Sequence, residues 1–359
     1  PVPPMRLEHH DIPQGIRLVA QPARKTEPVL TPEQAQELFL FGGTCLHDEG
    51  RYRLWYDCWP ADDVGSDRMG IFNLVRYAES DDGVDWTIPS LGIVEYHGSR
   101  ENNIVYGGPL TLVSGYHGGC VFKDPSAPPE ERYKAFHLGI LSWKGLEEYR
   151  TKRPNDVDPF QLGKPRDDVS ALYGAVSPDG LRWTPIQEPL VVQTSDTHNV
   201  CEYDVATGKY VGYVRSWFFN RRTIGRMETE DFRRFPLPEE LFWPGTACAP
   251  YELWYANAKT MMPGTTDYHV MFPLRWSLPE DKFDFHLATS PDGIVWHFVP
   301  GGPVCWPGEP GSWDAGVTAP GLGMVPLPGD RMGILYAGTP VPHKYPRRPP
   351  MGALAWAWW

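Results

Sequence analysis

The chain has 359 residues and a formal net charge of -12, with no run of Lys or Arg long enough to follow a phosphate backbone, which argues against nucleic acid as a partner. No apolar stretch approaches the roughly 18 residues of a membrane-spanning helix, which leaves no membrane partner of that kind. Pro (39) and Gly (36) make up about a fifth of the sequence, but 15 Trp and 17 Tyr exclude the aromatic-poor composition of a disordered chain and suit many short strands joined by tight turns.

The chain opens on Pro1-Val-Pro-Pro4, with no initiator Met and no signal-peptide pattern, and closes on the apolar Trp356-Ala-Trp-Trp359. Both ends read as trimmed, and the sequence assigns no compartment. In chain order, the first unit carries Cys45-Leu-His-Asp48-Glu-Gly-Arg-Tyr52, a strand, an Asp-led turn and a strand opening on Tyr. It continues through the alternating run Leu74 to Ala78 into Ser80-Asp-Asp-Gly83-Val-Asp-Trp86. The second unit repeats the phrase as Asp124-Pro, Tyr133 and Ser177-Pro-Asp-Gly180-Leu-Arg-Trp183, and the third as Asp204, Tyr210 and the weaker Glu228-Thr-Glu-Asp231, which lacks the Gly. A fourth unit runs from Tyr251 to Ser290-Pro-Asp-Gly293-Ile-Val-Trp296. A fifth begins at Trp313-Asp314 and ends in Met351 to Trp359, short of an outer strand.

Asp-Gly between alternating apolar runs is a hairpin signal, because Gly accepts the positive φ of a tight turn. A four-strand phrase repeated at this interval specifies one supersecondary unit stacked several times. The expected fold is therefore all-β: a single domain over 1–359, a five-bladed β-propeller with four-stranded antiparallel blades. The run Gly15 to Ala20 is expected to close the ring as an N-terminal strand, and the charged segment at about 140–169 to form a surface insertion. The six cysteines show no metal-ligand spacing and are read as free, buried thiols.

Tyr77-Ala-Glu-Ser-Asp-Asp-Gly-Val-Asp-Trp86, Gly98-Ser-Arg-Glu-Asn-Asn103, Asp196-Thr-His-Asn199 and Gly311-Ser-Trp-Asp314-Ala-Gly resemble sequences related to glycoside hydrolase families 43 and 32, the five-bladed propeller glycosidases. The resemblance covers nearly the whole chain as a blade pattern. Family 32's Asn-Asp-Pro-Asn phrase is absent, its Arg-Asp-Pro phrase has only the lookalike Lys123-Asp124-Pro125, and its Glu-Cys phrase is inverted as Cys201-Glu202. The resemblance implies a ligand at the end of the central tunnel where the innermost strands begin.

Cleaving a glycosidic bond takes two carboxyl groups facing each other across it. Acids repeated in three units each (Asp48, Asp124, Asp204, and Asp82, Asp179, Asp292) are turn-formers, since Asp side chains bond nearby backbone N–H groups. Asp196, Asp314 and Glu37 break the repeat at the starts of inner strands, and they are the catalytic candidates. His117, His198, Asn103, Asn199 and Asn257 are candidates for binding sugar hydroxyls, because neutral His and Asn both donate and accept; Trp313 could stack on a sugar ring. The expectation is an exo-acting glycoside hydrolase taking a carbohydrate substrate, with no cofactor and no metal. The alternatives are a glycoside phosphorylase, with Arg215, Arg226 or Arg275 holding phosphate, and a non-catalytic carbohydrate-binding propeller.

Overall fold

The computed structural model describes residues 19–35, 39–59, 73–107, 114–162, 168–196, 198–218, 221–241, 251–256, 258–345 and 351–359. They form a mostly β structure of four-stranded antiparallel sheets. The first holds β2 (Phe39–Asp48), β3 (Arg51–Trp59), β4 (Leu74–Ser80) and β5 (Ile104–Gly107), in that order. The second holds β6 (Ser114–Lys123), β7 (Tyr133–Leu141), β8 (Val169–Ser177) and β9 (Thr184–Pro185). The third holds β10 (Val200–Asp204), β11 (Lys209–Phe218), β12 (Arg221–Thr229) and β13 (Glu239–Glu240).

The fourth unit departs from the simple pattern. Its sheet is β15 (Lys259–Met261), β16 (His269–Met271), β19 (Ala288–Ser290) and β20 (His297–Phe298). Beside it, β14 (Glu252–Ala256) pairs with β17 (Leu274–Ser277), which pairs with β18 (Lys282–Phe285). The last sheet runs β21 (Val317–Leu327), β22 (Arg331–Thr339), β23 (Ala353–Trp358) and finally β1 (Arg24–Lys25), so the N-terminus supplies the outer strand that the fifth unit lacks. Among the described residues the pairing falls at Arg24–Lys25, with Leu30 bridging to Leu354; of the expected Gly15 to Ala20, positions 15–18 lie outside the described residues. A parallel contact, Thr44 with Leu322, joins β2 to β21.

The leading strands of all five units line one cavity of about 360 Å³: Thr44 from β2, Cys120 from β6, Cys201 from β10, Lys259 from β15 and Leu322 from β21. Cys45, Cys58, Cys120, Cys201 and Cys305 are buried, filling space as small apolar residues.

Local chemistry explains the repeat. The phrase Ser-x-Asp-Gly does not make a two-residue hairpin; it makes a longer turn whose caps are the Ser and Asp side chains. Ser177 Oγ accepts from the Gly180 N–H at 2.9 Å, and Asp179 Oδ1 accepts from the Leu181 and Arg182 N–H groups, both at 2.8 Å. The same bonds recur around Ser80 and Ser290. The glycine at each turn is left-handed, with φ of 78°, 75° and 69° at Gly83, Gly180 and Gly293.

These turns also fasten one sheet to the next. The Gly180 carbonyl accepts from Trp55 Nε1 of the first sheet at 2.6 Å, Gly293 accepts from Tyr213 of the third at 3.0 Å, and Gly83 accepts from Trp356 of the fifth at 2.6 Å. Between the second and third sheets, where the Gly is missing, Phe136 packs on Phe235 at 5.5 Å instead. The repeated turn acids do a matching job in the other direction. Tyr133 donates to Asp48 and Tyr210 to Asp124, each from one sheet to the turn of the preceding one. Asp124 also accepts from the Ser126 N–H and pairs with Lys134 at 3.1 Å, both charges buried. The insertion folds into α2 (Trp143–Lys152) and α3 (Pro159–Leu162); the other α-helix among the described residues is the one-turn α1 (Pro32–Ala35). Leu146, Tyr149 and Val157 bury against β8, so the segment is packed and not a loose excursion.

Two glycines of like backbone separate strain from latching. Gly180→Ala should cost about 2 kcal/mol or more, since it adds the ~1–2 kcal/mol left-handed penalty to a Cβ pressed on the Trp55 ring. Gly50→Ala, also left-handed but with open space around it, should cost only the backbone part. Equal losses in urea unfolding would mean that the latch contributes nothing.

Candidate functional site

At the end where the leading strands begin, glycine pairs interrupt two of them. The register of β2 shifts between Leu40 and Gly43, and that of β6 shifts on either side of His117. Such bulges bend a strand and re-aim a side chain. A side chain at Gly119 would place its Cβ 2.5 Å from that of His137 and 2.8 Å from the Phe136 carbonyl, so glycine is what lets the bulge close up. His117 is thereby turned into a pocket lined by Gly42, Gly43, Trp55, Asp57, Tyr116, His198 and Leu322.

Two carboxylates flank the His117 ring. Its Nε2 lies 3.1 Å from Asp196 Oδ1, and its Nδ1 lies 3.3 Å from Asp57 Oδ2. The Asn73 amide sits 2.8 Å from the same Nδ1; a protonated ring calls for the amide oxygen on that side. Asp57, near the end of β3, also accepts from the Gly118 N–H at 3.1 Å. On the far side, Arg215 Nη2 holds Asp196 Oδ2 at 2.9 Å from its place on β11. The backbone that carries Asp196 is set by Asn199, which is fully buried and donates to the Gly118 carbonyl at 3.2 Å and to the Asp196 carbonyl at 3.4 Å. Ser195 bonds both Asn199 and the Arg215 N–H.

Burial alone would lower the His117 pKa, but the hydrogen bonds to Asp196 and Asp57 outweigh it and raise the ring to about 10. Burial likewise pushes Asp196 up, yet the His117 hydrogen bond and the Arg215 charge hold its carboxyl well below the usual carboxylate range. At neutral pH the site is thus a cationic imidazole beside an ionised, half-exposed Asp196. Among the described residues, no group of three His, Cys, Asp or Glu side chains has the geometry of a metal site.

The candidates from sequence separate here. Asp196, His117, His198 and Asn199 converge on this pocket or its frame. Glu37 and Asn257 lie outside the described residues. Asp314 is buried, and its bonds go to Lys25 at 2.6 Å, Tyr336 at 3.0 Å and Ser312 at 3.0 Å, which anchor the N-terminal strand to the last sheet. Trp313 packs on Tyr336. Asn103 is buried and its amide bridges Tyr56, the Tyr77 carbonyl and Arg76, tying β5 to its sheet. Of the arginines suggested for phosphate, Arg226 pairs with Glu228 and Arg275 is gripped by Asp284 and Glu252, so neither joins Arg215 at Asp196. Sequence reasoning missed Asp57 and Asn73; the Gly42-Gly43 and Gly118-Gly119 pairs inside inner strands were the signal that could have marked the place.

No family model matches the sequence, and no characterised protein matches it by sequence alone. Solved structures do match it in shape. An N-acetylgalactosamine deacetylase from F. plautii, solved with blood group B trisaccharide, superposes with a TM-score of 0.59 at 12% identity, covering 95% of this chain and 94% of that one. In fold the chain is similar to the propeller glycosidases. The Bombyx mori GH32 β-fructofuranosidase gives 0.56 at 10% identity over 94% of this chain and 62% of its own. The endo-arabinase from Bacteroides thetaiotaomicron gives 0.52 at 12% identity over 92% and 97%. Likeness at this identity is likeness of fold, and it agrees with the resemblance carried by the blade phrases.

The charge state of the pocket can be read directly. The His117 imidazole should titrate in NMR with a midpoint near 10, and Asp196→Asn should bring it back towards the ordinary ~6.5. Because the folded pKa is raised, the stability that His117 contributes is complete below about pH 6.5 and fades as the pH climbs to about 10. A wild-type midpoint near 6.5 would remove the ion pairs from the argument.

Proposed function

We propose that the chain is a carbohydrate-active hydrolase, a closed five-bladed propeller that cleaves a glycosidic bond at the terminus of an oligosaccharide. One observation carries the reading: His117, held between Asp57 and Asp196, faces a pocket at the end of the structure where the leading strands begin. The cavity lined by all five leading strands supports the closed ring, and the glycosidases of like fold support the reaction class. The pocket itself is small, about 30 Å³ among the described residues, so the sugar would sit at its mouth with the reacting atoms at His117 and Asp196.

In this reading Asp196 is the ionised carboxylate, attacking the anomeric carbon or activating the water that does. His117 carries the proton for the departing oxygen; Asp57 and Asn73 fix its ring. Arg215 keeps Asp196 charged. Substrate entering between His117 and Asp196 would part the ion pair, lowering the pKa of His117 towards the range where it can donate. Asp314 acts as an anchor and not as the second carboxylate.

One feature favours a second reading. The centre of the pocket is an imidazole, the side chain most used for general acid–base work in acyl transfer, and the deacetylase of like fold acts on an N-acetyl sugar. Amide hydrolysis would use the same His117 and Asp196 to pass a proton from water to the leaving amine.

Proton NMR of the protein with p-nitrophenyl glycosides and with N-acetylgalactosamine and N-acetylglucosamine glycosides separates the two. New anomeric signals mean glycosidic cleavage; free acetate means deacetylation; neither, across the panel, leaves a binding protein. Asp196→Asn should cut whichever turnover is found by at least about a hundredfold. Asp314→Asn should instead lower the melting temperature and leave turnover per folded molecule nearly intact. A hundredfold loss in a folded Asp314→Asn variant would put Asp314 back in the chemistry.

A further inference from the structure

The insertion between β7 and β8 is tied to the strand segment that leads into Asp196. Asp158 donates its N–H to the Val192 carbonyl at 2.8 Å, and its side chain accepts from the Thr194 N–H at 3.2 Å. Gln161, fully buried, donates to the Thr194 hydroxyl. Thr194 is two residues before Asp196 in the chain, so α3 is held next to the pocket by three bonds.

Between Asp158 and Gln161 stands Phe160, a large apolar side chain left 55% exposed on a helix whose neighbour is buried. Its ring lies nearly parallel to that of Trp217, at 16° and 6.1 Å between centroids. Trp217 is two residues beyond Arg215 on β11, so both side chains leave the same face of the strand, about 7 Å apart along it. Arg215 is the residue that holds Asp196. The Arg222 guanidinium lies over the indole of Trp217 at 5.7 Å, which stiffens the stack from the other strand of the hairpin.

We propose that Phe160, backed by Trp217, is a subsite for the second sugar ring of an oligosaccharide, the unit next to the one bound at Asp196. This rests on the carbohydrate reading above and adds a preference for length. The apolar C–H face of a sugar stacks on an aromatic ring. The strand spacing from Arg215 to Trp217 is about the span of one sugar unit. The polar anchors of α3 bury Gln161 and hold Phe160, the one aromatic of this helix, exposed beside the segment that leads into Asp196. An aromatic shelf of this kind belongs to the insertion and not to the repeated blades, so it sets specificity without touching the fold.

The test is binding of the full chain to an immobilised glycan array that runs from mono- to tetrasaccharides, with wild type, Phe160→Ala and Phe160→Tyr. In the wild type, a disaccharide should bind more tightly than its terminal monosaccharide. Phe160→Ala should erase that gain, a loss of roughly two- to tenfold for one aromatic contact, and keep the monosaccharide affinity. Phe160→Tyr should restore it. Loss of affinity for the monosaccharide too, or a gain that survives Phe160→Ala, would overturn the subsite. A wild type that binds no glycan on the array would instead sink the carbohydrate reading itself.

Discussion

Between neighbouring sheets, the contact that recurs is a ring N–H or hydroxyl reaching the carbonyl of a left-handed glycine. Trp55, Tyr213 and Trp356 each make it, to Gly180, Gly293 and Gly83. The bond needs the turn first. Ser and Asp side chains occupy the turn's own N–H groups, which leaves the glycine carbonyl pointing outward as an acceptor. A second row of bonds, from the Tyr that opens a second strand to the Asp turn of the sheet before it, runs the opposite way. The first three sheets are thus held from both sides by groups whose desolvation would be costly if they were left unpaired. Where the glycine is lost, in the third unit, Phe136 and Phe235 restore the join by apolar packing. The cavity and the pocket at its end exist because this stacking sets the angle between sheets.

The proposed function is drawn from departures from that regularity. The bulges at Gly43 and around His117 break the ladder where the leading strands begin, and they swing a histidine inward that would otherwise alternate with its neighbours. Around it, opposite charges are matched: a cationic His117 lies between Asp57 and Asp196, and Arg215 lies behind. The repeat supplies a rigid frame and the irregularities supply the proposed site, as is common for sites built on symmetric folds.

The same division explains which acids turned out to be structural. Asp48 and Asp124 are repeated because the Tyr–Asp bond between sheets is repeated. Asp314 is not repeated, yet it too is bonded into the frame, because the last sheet alone must receive a strand from the other end of the chain. Uniqueness in a repeat therefore marks either chemistry or closure. Asp196 and Asp314 are told apart by what they face: an open pocket with His117 and Arg215 in one case, Lys25 and Tyr336 in the other.

By itself the sequence determined the strand phrase, the positions of the Asp-Gly turns, the number of units and the need for an N-terminal strand to complete the fifth. These depend on period-two alternation, on glycine's freedom at positive φ and on side-chain to backbone bonds a few residues long, all of which are local. It also marked Asp196, an acid that breaks the repeat, and His117, His198 and Asn199, donor-acceptor side chains just before or within leading strands; the structure brings these four to one pocket or its frame. It said nothing of Asp57 and Asn73, which come from the ends of β3 and β4 and carry no phrase of their own. Nor could it place the closing strand within the N-terminal segment, where Arg24–Lys25 takes the β23 edge. Those choices belong to tertiary structure: which strand ends meet depends on the twist and stacking of sheets far apart in the chain, and which carboxylate is paired, and with what, depends on that meeting.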